Sequence, residues 1–324
     1  MKAILFNHYG SPDVLQLTEV EKPTPKDNQV LIKVHAASGN PVDWHRMRGA
    51  PFLIRLDEGF RKPKNPKIGA DVAGQVEAVG SSITQFKPGD RVFGCRTGAF
   101  AEYVCALESA LALIPANLSF EQAAAIPVAA FTALQGLRDA GKIQAGQKVL
   151  INGASGGVGT MAVQIAKSYG AEVTGVCSTR NLDMVRSIGA DHVIDYTQQD
   201  FTKTGQQYDL IYCAVGNRTV SAYKRALKPG GICVVTGFSG LLRLFGIIAL
   251  GAWATKTGDK TITGQGVAQP NQADLLYMSE LLESGKVVPV IDRRYPFSET
   301  AEAIRYLEQG HARGKVIITI VPES

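Results

Sequence analysis

The chain has 324 residues, of which 45% are apolar and 19% charged, with 34 glycines and a formal net charge of +5. That length exceeds the roughly 250–300 residues at which a single core usually stops growing, so two domains are expected. The composition is that of a globular protein, and no Lys/Arg block is long enough to serve as a nucleic-acid arm.

The five cysteines, Cys95, Cys105, Cys177, Cys213 and Cys233, form no CxxC pair, and three sit in apolar runs where Cys acts as a small buried hydrophobe. A disulfide framework is not expected, and a reducing cytoplasm is. The opening MKAILFNHYG carries no signal-peptide pattern. The apolar stretch over 240–254 is short of the ~20 residues that span a bilayer, and Arg243 interrupts it. It reads as a core or interface helix, with a substrate-pocket wall as the alternative; peripheral membrane contact is not expected.

In chain order, positions 3–6, 29–37 and 74–79 carry the β-branched or alternating pattern of strands. The mixed cluster over 55–67 reads as a solvated loop. Positions 86–92, FKPGDRV, read as a tight turn feeding a strand, with Pro presetting φ and Gly accepting φ > 0. Ser119 and Gln122 fit a capping box opening a helix that runs to about 140, with a break at Pro127 left open. From Lys148 strand and helix alternate. Strands are expected over 149–152, 172–177, 193–196, 209–215 and 232–237, with helices over 157–169 and 181–188. Runs apolar on both faces argue parallel strands buried by helices, hence a doubly wound α/β sheet. After about 265 come helices over 272–284 and 298–309 and a last strand over 315–320.

The loop Ile151-Asn-Gly-Ala-Ser-Gly-Gly-Val-Gly-Thr160 reads as a GxGxxG-type fingerprint with Ala154 at its first position. A strand precedes it and a helix follows. Gly156 lets a backbone approach a pyrophosphate, Gly159 lets the helix pack on the strand, and the helix end offers unpaired N–H groups. Ala154, Ser155, Gly157 and Val158 complete this candidate cofactor loop. An NAD site carries Asp or Glu near the end of the second strand for the ribose 2′-OH. Here that stretch is Val176-Cys-Ser-Thr-Arg-Asn181, where Ser178 and Arg180 offer a hydroxyl and a guanidinium suited to a 2′-phosphate. NADPH is the expected cofactor.

These motifs resemble the medium-chain dehydrogenase/reductase superfamily. The resemblance covers the whole chain and rests also on positions 69–80 (GADVAGQVEAVG), 86–92, 188–196 (IGADHVIDY), 227–231 (LKPGG) and 314–318 (GKVII). Its subgroup resembles the zinc-free quinone oxidoreductases and alkenal (enone) reductases. The resemblance implies a Rossmann domain inserted into a GroES-like, mostly β catalytic domain, here 1–121 and 266–324 around 122–265. It implies Thr132 on the nicotinamide side, Tyr196 with Ser178 and Arg180 around the 2′-phosphate, and Ala214, Val215, Gly216 and Phe238 along the nicotinamide ribose. It has Arg313 and Lys315 closing over the cofactor. Both monomers and homodimers, the latter through an edge strand near 261–267, are compatible with it.

Zinc members of the superfamily carry Cys where this chain has Asn40, and a His–Glu pair where it has Ala70-Asp71. No Cys/His cluster exists anywhere in the chain, so no metal site is expected. A hydride acceptor must then be electron-poor already: a quinone or an α,β-unsaturated carbonyl, whose developing enolate needs only hydrogen-bond donors. Asn40 and His45 are the candidate donors, with His45 read alternatively as a polar residue lining the cleft mouth. The expected function is zinc-independent, NADPH-dependent hydride transfer to a quinone or enone. Alternatives are a carbonyl or alcohol reductase of the same fold and a non-enzymatic NADPH-responsive regulator.

Overall fold

The computed structural model describes residues 1–237, 246 and 258–321. The apolar stretch over 240–254 lies almost entirely outside the described residues, and Phe238 lies outside them too. The chain divides into two compact units. One comprises Met1–Val128, Pro270–Glu283 and Pro289–Ser324; the other comprises Ala129–Gln269 and Ser284–Val288.

The first unit begins with the hairpin β1 (Lys2–Leu5) and β2 (Gln16–Glu19), followed by β3 (Gln29–Gly39). Helix α1 (Pro41–Arg48) starts directly after β3, with Pro41 at its first position, where a missing N–H costs nothing. The expected loop over 55–67 in fact contains a short helix, α2 (Ile54–Glu58). Arg46 of α1 pins it by a two-point bond to Glu58, and Arg55 lies over the Tyr9 ring, contacts that residue spacing alone cannot reveal. Strands β4 (Asp71–Val79), β5 (Arg91–Cys95), β6 (Tyr103–Leu107) and β7 (Leu111–Leu113) follow.

Ser119 caps α3 (Phe120–Ala124) through Gln122 N–H at 3.2 Å, and the Gln122 side chain accepts the Ser119 N–H in return, as a capping box requires. The helix does stop before Pro127, whose ring cannot continue the hydrogen-bond ladder. It restarts as α4 (Pro127–Gln135) and ends in a π-turn over Gly136–Ala140. Helix α3 packs against β3 and β4 and so belongs to the first unit.

The second unit alternates β8 (Lys148–Asn152), α5 (Gly157–Ser168), β9 (Glu172–Cys177), α6 (Leu182–Ser187), β10 (His192–Asp195), β11 (Tyr208–Cys213), α7 (Val220–Ala226), β12 (Leu227–Val235) and β13 (Thr261–Gly264). Every pairing is parallel, and among the described residues the strands lie in the order β10-β9-β8-β11-β12-β13. That is the doubly wound 3-2-1-4-5-6 order, whose direction of winding reverses between β8 and β11. Val149, Leu150, Ile151, Leu210 and Ile211 are fully buried, as strands covered on both faces must be.

The chain returns to the first unit with α8 (Gln272–Glu283), β14 (Ile291–Pro296), α9 (Thr300–Glu308) and β15 (Lys315–Thr319). The sheet there runs β14-β15-β3-β4-β5-β7, with β6 also pairing β3. Antiparallel register sets Ser38 against Asp71 and Val316 against Gly39. The end of β3 and the starts of β4 and β15 therefore meet at one place.

Candidate functional site

The dinucleotide loop leaves β8 through Gly153, whose φ of +87° only glycine adopts without strain. Gly156 is the N-cap of the twelve-residue α5, and no side chain caps that end. The N–H groups of Gly157, Val158 and Gly159 accordingly lack intrahelical acceptors, and the helix dipole adds positive potential there. The two fingerprint glycines differ sharply. A Cβ on Gly159 would lie 2.0 Å from the Gly153 carbonyl oxygen, whereas one on Gly156 would meet nothing nearer than 3.7 Å. Gly159 thus serves helix–strand packing, and Gly156 keeps open the space before the helix.

The loop lies where the order of strands reverses, and there the Asn152 side chain donates to the Val215 carbonyl at 2.7 Å. Gly216 N–H bonds the Gly237 carbonyl at 2.6 Å, and Val215 is exposed beside Gly153. Ala214–Gly216 thus border the glycine loop. At the end of β9, Arg180 and Thr179 are exposed and Ser178 half-buried, in a short 3-10 turn. Tyr196, just past β10, is 51% exposed. Thr132 offers its carbonyl to the Tyr212 hydroxyl at 3.0 Å and the Gln265 amide at 2.8 Å. Thr236 joins that network through Tyr212 and Gln265.

Asn181 is a residue that motif reading missed. Its amide N–H groups reach Ser155 Oγ at 3.0 Å and Ser178 Oγ at 3.2 Å, joining the loop to the end of β9. Its Oδ1 is buried without a partner. A buried acceptor is seldom left unpaired. An orphan between two candidate cofactor residues, next to an uncapped helix end and an open glycine, fits a bound dinucleotide with hydroxyls to donate. No spacing rule marks Asn181; its signal is its position three residues after Ser178.

In the first unit, the sheet brings Ser38, Asn40, Asp71 and Lys315 together. Asp71 is fully buried and accepts from Ser38 Oγ at 2.6 Å, Asn40 Nδ2 at 2.8 Å, Lys315 Nζ at 3.0 Å and the Val128 N–H at 2.8 Å. Lys315 Nζ also donates to Asn40 Oδ1 at 2.5 Å. Lys315 was expected to close over the cofactor beside Arg313. Instead it is only 3% exposed and turned inward to this cluster, while Arg313 is exposed with its N–H on Asp292.

Asn40 was expected as an outward donor, but both its amide hydrogens are engaged, one by Asp71 and one by the Ser38 carbonyl at 3.3 Å. His45 differs from expectation in a similar way. Its Nδ1 lies 2.7 Å from the Ala50 carbonyl, which can only accept, so Nδ1 carries the proton. Burial depresses its pKa, opposed by the Ala50 bond and by Glu308. The neutral ring then presents Nε2 as an acceptor, stacked beside Trp44.

Asp43 accepts the Asn40 N–H at 2.8 Å, tying the first turn of α1 to its cap, and the Gly69 N–H at 3.2 Å. Burial pushes its carboxyl up to about 7, with the nearby Asp71 adding to the rise and the Asn40 bond opposing it. Between roughly pH 4 and 7 the folded protein therefore holds a proton here that the unfolded chain has lost. The stabilisation this gives is complete below the unfolded value and is lost as pH rises through 7. A carboxyl NMR titration should show one Asp with a midpoint near 7, absent in Asp43→Ser; a wild-type spectrum with every Asp below 5 would refute the assignment.

Val42, Asp43 and Ala70 border a cavity of about 430 Å³, whose other walls include Arg46, Glu58 and Thr97. Among the described residues no three His, Cys, Asp or Glu side chains converge so as to hold a metal ion.

Residues 26–116 match the alcohol dehydrogenase GroES-like domain family, and residues 188–318 match the zinc-binding dehydrogenase family. The chain is 38% identical to a 2-methylene-furan-3-one reductase of Solanum lycopersicum and 36% identical to an NADPH-dependent alkenal/one oxidoreductase, chloroplastic, of Arabidopsis thaliana. Each match covers 99% of this chain and 80% of the relative. The chain belongs to the medium-chain dehydrogenase/reductase superfamily, in its quinone and enone reductase subgroup. Among solved structures, the quinone oxidoreductase from Coxiella burnetii superposes with a TM-score of 0.87 at 32% identity, covering 99% of both chains.

The zinc implied by one family description does not fit this member's side chains. Asp71 is already paired with an ammonium, Asn40 and Ala70 supply an amide and a methyl group, burial pushes up the pKa of the Cys95 thiol 3.9 Å from Asp71, and the Asp43 carboxyl is turned to the Asn40 and Gly69 N–H groups. A dication needs about three converging N, S or O ligands, and would be repelled by the Lys315 charge.

Proposed function

We propose that this chain is an NADPH-dependent oxidoreductase that delivers hydride to a quinone or an α,β-unsaturated carbonyl. The observation that carries this reading is the β8–α5 glycine loop, paired with Ser178 and Arg180 in a segment, 176–181, that has no Asp or Glu of its own; the nearby Asp195, at the end of β10, is held by the Thr179 hydroxyl. The relatives' activities support it, since enone and quinone reductases are what this chain resembles over nearly its whole length.

The N–H groups of Gly157 to Gly159 hold the pyrophosphate, and Asn181 Oδ1 accepts a ribose hydroxyl. Ser178, Arg180 and Tyr196 surround the 2′-phosphate. Thr132, Ala214, Val215 and Gly216 border the nicotinamide ribose. When bound, NADPH supplies the hydride. The protein contributes positioning, exclusion of water and donors for the oxygen that gains charge. His45, with Nε2 as an acceptor, orients a hydroxyl and does not protonate the product. Because the side chains around Asp71 do not fit a catalytic metal, this reading has the acceptor activated by its own conjugation.

Arg180→Ala should raise the KM for NADPH roughly 10–100-fold and leave that for NADH nearly unchanged, because a charge-assisted bond is worth about 1.5–3 kcal/mol. Steady-state kinetics with both cofactors and a panel of quinones and enones checks this. Equal loss for both cofactors, or a wild-type preference for NADH, would overturn the assignment. Tight NADPH binding without turnover of any acceptor would favour a cofactor-responsive regulator.

We take the cytoplasm as the compartment, supported by five free cysteines. Among the described residues no helix is long and apolar enough to cross a membrane. A homodimer through β13 is the assembly we favour, because among the described residues that strand ends its sheet.

A further inference from the structure

An enolate or quinol oxygen forming in the reaction needs a hydrogen-bond donor, and the buried cluster of the first unit shows which group has one to offer. The Ser38 hydroxyl donates to Asp71. Asn40 gives its two amide hydrogens to Asp71 and to the Ser38 carbonyl, and its oxygen accepts from Lys315. Both Asp71 oxygens are occupied, Oδ1 by the Val128 N–H, with Cys95 Sγ at 3.9 Å, and Oδ2 by Ser38, Asn40 and Lys315. The His45 Nδ1 proton goes to the Ala50 carbonyl.

Lys315 is different. An ammonium has three N–H donors. Two are directed at Asn40 Oδ1 and Asp71 Oδ2, and the third has no partner among the described residues. The side chain is 3% exposed, so bulk water does not readily take up that bond. The chain segments joined to it are those that border the cavity of the same unit: Val42 and Asp43 follow Asn40, and Ala70 precedes Asp71.

We propose that Lys315 is the catalytic hydrogen-bond donor to the acceptor's oxygen, in place of Asn40 and His45; this rests on the hydride-transfer reading above. In the step, hydride adds to the β-carbon of the enone and forms a new C–H bond. The C=C electron pair moves between the α-carbon and the carbonyl carbon, and the carbonyl π pair settles on oxygen. The cofactor is oxidised and the acceptor reduced by two electrons. The third N–H of Lys315 bonds the resulting enolate oxygen without transferring its proton, and the α-carbon takes a proton from water. Asp71 and Asn40 act as positioning residues. They fix the ammonium so that it need not reorganise as charge develops, the condition under which such a donor contributes most.

The test compares Lys315→Met with the double variant Asp71→Asn/Lys315→Met, which removes both members of the ion pair. Lys315→Met should lower kcat on an enone 10²–10³-fold, the loss typical of an oxyanion donor. The Kd for NADPH, followed by fluorescence, should stay within about twofold, since Lys315 is turned to Asn40 and Asp71 and the glycine loop, Ser178, Arg180 and Asn181 are untouched. The double variant should recover most of any lost melting temperature and none of the lost kcat. Recovery of kcat together with stability would show that Lys315 is only the counterion of Asp71 and would overturn the proposal, as would a fully active Lys315→Met. Should neither variant fold, a structure of the wild-type enzyme with NADP+ and an unreactive ketone mimic decides. A ketone oxygen within about 3.2 Å of Nζ is expected; one bonded elsewhere overturns it. Failure of the wild-type enzyme to oxidise NADPH with any acceptor would instead defeat the functional reading.

Discussion

Gly159→Ala should unfold the cofactor-binding unit at a temperature on the order of 10 °C lower than wild type and abolish measurable NADPH binding, while Gly156→Ala should fold normally. Two effects oppose each other at Gly159. Alanine gains up to about 1 kcal/mol of helix propensity over glycine. Against this, its Cβ would sit 2.0 Å from the Gly153 carbonyl oxygen and close to the Gly153 and Ala154 carbonyl carbons. Those are backbone atoms and cannot rotate away as a flexible side chain would. Relief therefore requires α5 to lift off β8, and overpacking of this kind costs roughly 3 kcal/mol or more. The clash wins.

Gly156 inverts the balance. Its φ of −82° suits any residue, and a Cβ there has no protein neighbour nearer than 3.7 Å. Gly156→Ala should melt within about 2 °C of wild type yet bind NADPH some 10–100-fold more weakly, because the added methyl enters the space through which a pyrophosphate approaches the N–H groups. Thermal melting and fluorescence titration of the pair separate the two roles. A Gly156→Ala enzyme with undiminished affinity would mean that this helix end does not hold the phosphates.

Asp71→Ala should destabilise the first unit by about 3–5 kcal/mol, the usual result of leaving one member of a buried ion pair without its partner. The loss extends past the pair. Ser38 Oγ would lose its acceptor and Asn40 one of its two, in a site that is 0–3% exposed at Ser38, Asn40, Asp71 and Lys315. Asp71→Asn should cost less, since the amide oxygen still accepts. Chemical denaturation of the two variants tests this ordering; equal stability of Asp71→Ala and wild type would show that the cluster is held by the surrounding sheet alone.

Local pattern was enough to read much of this protein. Apolar runs from Val149 to Gly237 announced parallel strands, because strands covered on both faces have nowhere to place polar residues. Ser119 and Gln122 announced their cap, since it acts within one helical turn, whereas the break at Pro127 was left open and the structure shows it. The glycine loop was visible because its strand, turn and helix follow one another in the chain, and Gly159 answers to a carbonyl only six residues away. The loop reading of 55–67 failed for the complementary reason: α2 is held by Arg46, Arg55 and Tyr9, and its own short span is mixed in polarity.

The site in the first unit was legible only in its members. Asn40 and Lys315 were both singled out, yet 275 positions separate two atoms that lie 2.5 Å apart. Only the pairing of β15 with β3, and of β3 with β4, brings them and Asp71 together. That pairing also determines which hydrogens remain: it saturates Asn40 and leaves Lys315 a donor to offer. The Ala50 carbonyl, five residues from His45, likewise decides the imidazole tautomer through a distance that no spacing rule contains. Residue types and short-range periodicity specified the dinucleotide loop and the parallel sheet, because those depend on neighbours in the chain. The partner of each buried polar atom depends on which strands pair, and that only the folded chain decides.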